Sequence, residues 1–162
     1  MAITFDQEDH PDHIPYPGRY LLMVSPIMGT TCLTKVLMDG GSGLNKLYAS
    51  TLNKMGVPRS SLCPSKASFY GIVLGMEAVP LGRIWLNVTF EVVNFPSVYH
   101  ILVGRPCFAK FMAVPNYTYL ELKMPDPKGV ITVEGSFKQA YYYEQDYVAQ
   151  VTTLIAPYAT KP

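Results

Sequence analysis

The sequence predicts an all-β domain, and three observations carry that reading. Fourteen prolines, twelve glycines and twelve tyrosines in 162 residues favour strands and turns over a helical bundle. From Ile84 to Val92, apolar residues alternate with Trp85, Asn87, Thr89 and Glu91, which is the period of a half-buried strand. An apolar run, Val36-Leu37-Met38, ends on Asp39 and a glycine-rich turn, Gly40-Gly41-Ser42-Gly43, before the chain turns apolar again. The length suits one domain with a real core.

Bulk properties exclude several classes of function. Hydrophobic residues make up 49% of the chain and charged ones 15%, so the protein is globular and not disordered. A formal net charge of +1 gives no electrostatic case for nucleic acid or an anionic membrane surface. No apolar stretch approaches the ~20 residues that span a bilayer. The N-terminus, Met1 to Asp6, turns acidic at once and lacks the basic and apolar regions of a signal peptide. An intracellular, cytoplasmic protein is expected. Cys32, Cys63 and Cys107 are odd in number and form no Cys-x-x-Cys pair, which predicts reduced, buried structural thiols, without a disulfide framework or a zinc site. No metal and no cofactor are expected.

Taken in order, residues 1–19 read as an exposed lead-in. His10 and His13 flank Pro11, which opposes the helix that would set both rings on one face for a metal. Tyr20–Val24 and Thr31–Met38 read as adjacent strands joined by a turn over 25–30. Leu44, Leu47, Tyr48, Leu52 and Met55 recur at helical spacing, predicting a short helix near 49–55 that Gly56 and Pro58 stop. Residues 59–68 are Pro- and Ser-rich loop. Between Gly71 and Gly75 lie Ile72, Val73 and Leu74, a glycine-bounded apolar tip that suits a mobile closing hairpin or an ordinary turn. The alternation from Ile84 predicts one long strand with Glu91 on the wetter face.

Val98–Val103 reads as a strand, with His100 as a satisfied core or edge histidine, and Phe108 to Met112 as a brief helical turn. Tyr117–Met124 and Val130–Val133 read as strands paired across the Pro125–Gly129 turn. Tyr143, Tyr147, Val151 and Leu154 fall at helical spacing, which allows a helix in the tail from Phe137, frayed from Ala156 on. The chain thus divides into a lead-in over 1–19, a domain over 20–134 and a C-terminal tail over 135–162.

Asp39 is the residue on which chemistry could turn. It is the only aspartate between Asp12 and Asp126. The turn that follows it is either a plain hairpin signal or a loop whose backbone amides, brought close by glycines, support a working carboxylate. One acid alone does little for amide hydrolysis. Two facing carboxylates that share a proton do more: one acts as base on a bound water, the other as acid on the carbonyl. The sequence holds a single Asp-Gly-Gly loop, so such a dyad requires a symmetric dimer with one Asp39 from each subunit at the two-fold axis.

Val36-Leu37-Met38-Asp39-Gly40-Gly41-Ser42-Gly43-Leu44-Asn45 and Tyr99-His100-Ile101-Leu102-Val103-Gly104-Arg105-Pro106 resemble the two signatures of retropepsins. More narrowly they resemble the protease segment of gypsy-class LTR retrotransposon polyproteins of the plant type. Phe69-Tyr70-Gly71-Ile72-Val73, Pro80-Leu81-Gly82-Arg83-Ile84 and Gly129-Val130-Ile131-Thr132-Val133 extend the likeness over nearly the whole chain. The resemblance implies a closed, retropepsin-like (half-pepsin) β-barrel with one or two short helices. It also implies a homodimeric aspartic endopeptidase that acts on a peptide or protein partner; the charge and hydropathy above already argue against a nucleic-acid or membrane partner. On the same ground Asp39 would be the catalytic aspartate and Gly40, Gly41 and Ser42 its loop. Gly71, Ile72, Val73, Leu74 and Gly75 would form the flap over the substrate, and Gly104 with Arg105 the support beneath the loop.

Two features depart from the family. Its loop is usually Asp-Thr-Gly or Asp-Ser-Gly, whose hydroxyl bonds across the dimer and braces the two loops; Gly40 has none. The segments at Val88-Thr89-Phe90 and Glu91-Val92-Val93 are fused without the usual turn. A stand-alone copy, with its own Met1 and without the reverse transcriptase of a polyprotein, is expected. The alternative function is a catalytically inactive retrotransposon-derived protein that acts through protein–protein interaction.

Overall fold

The computed structural model describes residues 2–12, 14–28, 30–67, 69–70 and 77–159. The first half runs β1 (Leu22–Val24), β2 (Ile27–Met28), β3 (Thr31–Cys32), β4 (Val36–Met38), β5 (Lys46–Tyr48) and helix α1 (Ala49–Lys54). It continues through β6 (Phe69–Tyr70), β7 (Glu77–Ala78), β8 (Gly82–Trp85) and β9 (Thr89–Val93). The second half comprises β10 (Ile101–Val103), α2 (Arg105–Phe111), β11 (Val114–Asn116), β12 (Glu121–Asp126), β13 (Gly129–Glu134) and α3 (Phe137–Ala159).

Six strands form one sheet in the order β1-β4-β10-β5-β9-β8. It is mixed: β4 runs parallel to β10 and β5 parallel to β9, and the other neighbours are antiparallel. Both faces are covered, which explains why β1 and β4 are apolar at every position. Leu22, Val24, Val36 and Met38 point into the main core, where Leu120, in the turn before β12, and Leu122 of β12 join them. Met23 and Leu37 point to the other face and pack with Tyr48, Val93, Tyr99 and Ala140 of α3. The small Ala140 side chain lets that helix lie close to β1. The short helix after β5 and the β12–β13 hairpin stand where the sequence predicts them. The brief helical turn expected over Phe108–Met112 is a helix over Arg105–Phe111, and the tail helix runs on to Ala159 past the fraying expected from Ala156.

The closed barrel does not form among the described strands. β1 and β8 are the edges of the six-stranded sheet, and coil occupies the hydrogen-bonding positions that closure would use. The Ser136 amide donates to the Met23 carbonyl at 3.2 Å, and Cys63 bridges to Arg83 on β8 at 2.8 and 2.9 Å. The single strand expected from Ile84 is a hairpin. Asn87 takes a left-handed φ of 65°, which an asparagine tolerates, and the Leu86 amide closes the turn on the Val88 carbonyl at 2.9 Å. Glu91 is buried, not on a wetter face, and Ser65 Oγ from the loop after residue 58 donates to its carboxylate at 2.5 Å.

Other expectations change for local reasons. The strand expected over Tyr117–Met124 starts only at Glu121, since residues 117–120 turn and Leu120 has a φ of 54°. Cys32 and Cys63 are exposed, not buried as expected, whereas Cys107 is half-buried and packs against the main core. His100 lies at the core edge, its buried Nδ1 without a partner among the described residues, and burial, then Lys54 and Lys35, hold its pKa below the usual imidazole range. No helix among the described residues is long and apolar enough to cross a membrane.

Candidate active site

Parallel pairing of β4 with β10 sets the ends of both strands side by side, with Met38 opposite Val103. The chain therefore delivers Asp39 and Gly104 to the same end of the sheet. The Asp39 amide extends the ladder by one bond, to the Val103 carbonyl at 2.8 Å. The next residues turn sharply: the Ser42 amide returns to the Asp39 carbonyl at 3.2 Å, and the Gly41 amide donates to Asp39 Oδ1 at 2.9 Å. One backbone N–H thus orients the half-buried carboxylate.

The far side of the loop is fixed just as closely. Ser42 Oγ donates to the Leu44 carbonyl at 2.7 Å, and the Arg105 amide donates to the Ser42 carbonyl at 2.9 Å. A Cβ on Gly104 would overlap the Leu44 carbonyl and stand 2.7 Å from the Ser42 carbonyl, so only glycine lets the two loops meet. Asn45, which the sequence reading passed over, is the tie. Its buried side chain accepts from the Gly104 amide at 2.8 Å and donates to the Thr89 carbonyl at 3.1 Å. An amide side chain between a glycine turn and an apolar strand was the available signal.

Tyr117 was also missed, and no pattern in the sequence marks it. It follows β11 and places its hydroxyl 2.8 Å from the Gly40 amide, which donates to it. With Tyr20, Leu22 and Gly41 it lines a cleft of about 370 Å³ into which Asp39 faces. Burial raises the Tyr117 pKa, against the Gly40 hydrogen bond. Lys46, at the start of β5, is half-buried; burial lowers its pKa and the Asp39 charge opposes that shift.

The predicted residues therefore divide. Asp39, Gly40, Gly41 and Ser42 share one loop, and Gly104 and Arg105 pack directly beneath it. The flap residues Gly71, Ile72, Val73, Leu74 and Gly75 lie outside the described residues; the strands on either side, β6 and β7, pair antiparallel. No group of three histidine, cysteine or acidic side chains that could hold a metal occurs among the described residues.

No protein-family model matches the sequence, and no curated protein matches it. Its fold is similar to that of the retroviral protease-like domain of Ddi1 from Leishmania major, with a TM-score of 0.54 at 14% sequence identity. The match covers 72% of this chain and 94% of that one. The fold is therefore retropepsin-like, built mostly of strands with few helices.

Proposed function

We propose that the chain is a retrotransposon-derived aspartic endopeptidase of the gypsy type that works as a homodimer on extended peptide segments. The observation that carries this reading is the placement of Asp39: a lone carboxylate at the end of a core strand, oriented by the Gly41 amide and facing a cleft. Each subunit contributes one Asp39. Across the two-fold axis the pair shares a proton, because like charges a few ångströms apart do not both ionise easily. The ionised carboxylate takes a proton from a water that attacks the scissile carbonyl, and its protonated partner donates to the carbonyl oxygen. Gly71–Gly75 act as the flap.

The test is incubation of the purified protein with a mixed peptide library at mildly acidic pH beside the Asp39→Ala variant. Cleavage by the wild type and its loss in the variant are expected. No cleavage, or equal cleavage by both, overturns the reading. Light scattering gives a second check, since a strict monomer cannot assemble two Asp39 residues. The missing hydroxyl at Gly40 favours the other reading, an inactive protein that binds a protein partner; a cellular effect that survives Asp39→Ala selects it.

A further inference from the structure

The loop that lacks a hydroxyl at position 40 has one beside it, supplied by its own chain. Tyr117 Oη accepts the Gly40 amide at 2.8 Å and stands 3.5 Å from the Met38 carbonyl, the outer limit for its own proton to reach. One phenol therefore spans the two residues that flank Asp39. A Cβ built on Gly40 would lie 2.8 Å from that same oxygen, closer than side chains pack. A side chain at position 40 therefore requires the Tyr117 hydroxyl to move away from where it stands. The phenol also keeps its proton wherever carboxylates titrate, since burial moves its pKa upward.

We propose that Tyr117 is a positioning residue for Asp39: its hydroxyl braces the loop from within one subunit, in place of a cross-dimer hydroxyl from position 40. On this account the glycine at position 40 is the space that the tyrosine needs. Gly40 and Tyr117 then behave as one unit, and the loop is set before a second subunit arrives. Only the kinetic consequence rests on the proposed role of Asp39. The brace can be tested in a protein that cleaves nothing.

The experiment compares Tyr117→Phe, Gly40→Ala and the double variant with the wild type, each as the full chain. In Tyr117→Phe, amide hydrogen exchange at Gly40 should quicken by roughly tenfold, with Leu37 and Leu102 in the adjoining strands unchanged. Gly40→Ala alone should lower thermal stability by displacing the hydroxyl. In the Tyr117→Phe background the same methyl meets no oxygen, so the loss should be smaller and the two effects non-additive. Exchange at Gly40 that ignores Tyr117→Phe, or strict additivity in the cycle, overturns the brace. Where the wild type cleaves peptides, Tyr117→Phe should lower kcat with little change in KM; an unaltered kcat overturns the positioning role. A wild type that cleaves nothing defeats the endopeptidase reading and leaves the exchange result to decide the brace.

Discussion

Two carboxylates stand at strand ends in this fold, and their surroundings differ. Asp39 leaves β4 into a loop of glycines, where the Gly41 amide points at its oxygen and a cleft opens beside it. Glu121 begins β12 and is buried, and its Oε1 has no hydrogen-bond partner among the described residues. Lys123 Nζ stands 3.9 Å from that oxygen but makes its closer contact with Asp9, at 2.7 Å. Glu134 is its register partner across the hairpin. A glycine turn brings free N–H groups to a carboxylate, whereas a strand has committed its own to the ladder. The first environment suits the role proposed for Asp39. The second leaves a charge that the fold tolerates poorly, and its neighbours make it responsive to pH.

The largest way to break the contrast is to remove the bed on which the Asp39 loop rests. Gly104→Ala places a methyl into the Leu44 and Ser42 carbonyls, which are backbone and yield only if the loop moves. Overpacking of this kind costs about 3 kcal/mol. At roughly 2–4 °C per kcal/mol for a chain of this size, a fall in Tm near 10 °C is expected by thermal denaturation. An alanine variant as stable as the wild type would show that the two loops are not in the contact described.

Asn45→Ala should come next. It leaves the Gly104 amide and the Thr89 carbonyl without their side-chain partner, at a cost of about 2 kcal/mol for buried groups left unmade. Denaturant unfolding checks this, with the midpoint falling at unchanged slope. Asn45→Asp is the sharper comparison. Protonated, it can accept from Gly104 and donate to Thr89; ionised, it keeps the acceptor and loses the donor, so the loss of stability should grow as pH rises.

These residues also mark where the sequence was legible. The Asp39 turn could be read from its glycines, and the resemblance supplied Gly104 and Arg105 as its support. The parallel register that joins them could not be read, because nothing in either apolar run encodes a partner so distant in the chain. The hairpin hidden within Ile84–Val92 was missed for a physical reason: Ile84 pairs with Phe90 and Gly82 with Val92, so the turn at Asn87 preserves the alternation and a period-2 pattern runs through it unbroken. Glu91 was misplaced because alternation says which face a residue takes, not whether a loop later covers that face. Tyr117 was unreadable because its turn breaks an otherwise convincing strand pattern, and its partner is a backbone amide that every residue possesses.

The smallest effect has the opposite sign and a defined pH range. Burial, then the Asp9 carboxyl, raise the Glu121 pKa above its ordinary value of 4.5, while Lys123 works against them and Glu134 adds to the rise. A carboxyl with a raised folded-state pKa binds its proton more tightly when folded. Its ionisation therefore costs stability as pH climbs from about 4.5 through the folded-state value. Asp9 shifts the other way, held low first by its hydrogen bond to Lys123, so its contribution is lost only as pH falls below 3.8. The two windows do not overlap. Glu121→Gln, which mimics the protonated form, should match the wild type at pH 4 and exceed it at pH 7 by a few degrees in Tm, about 3 °C for each kcal/mol. Equal Tm values at both pH values would mean that Glu121 ionises without penalty, and the contrast with Asp39 would then lie in geometry alone.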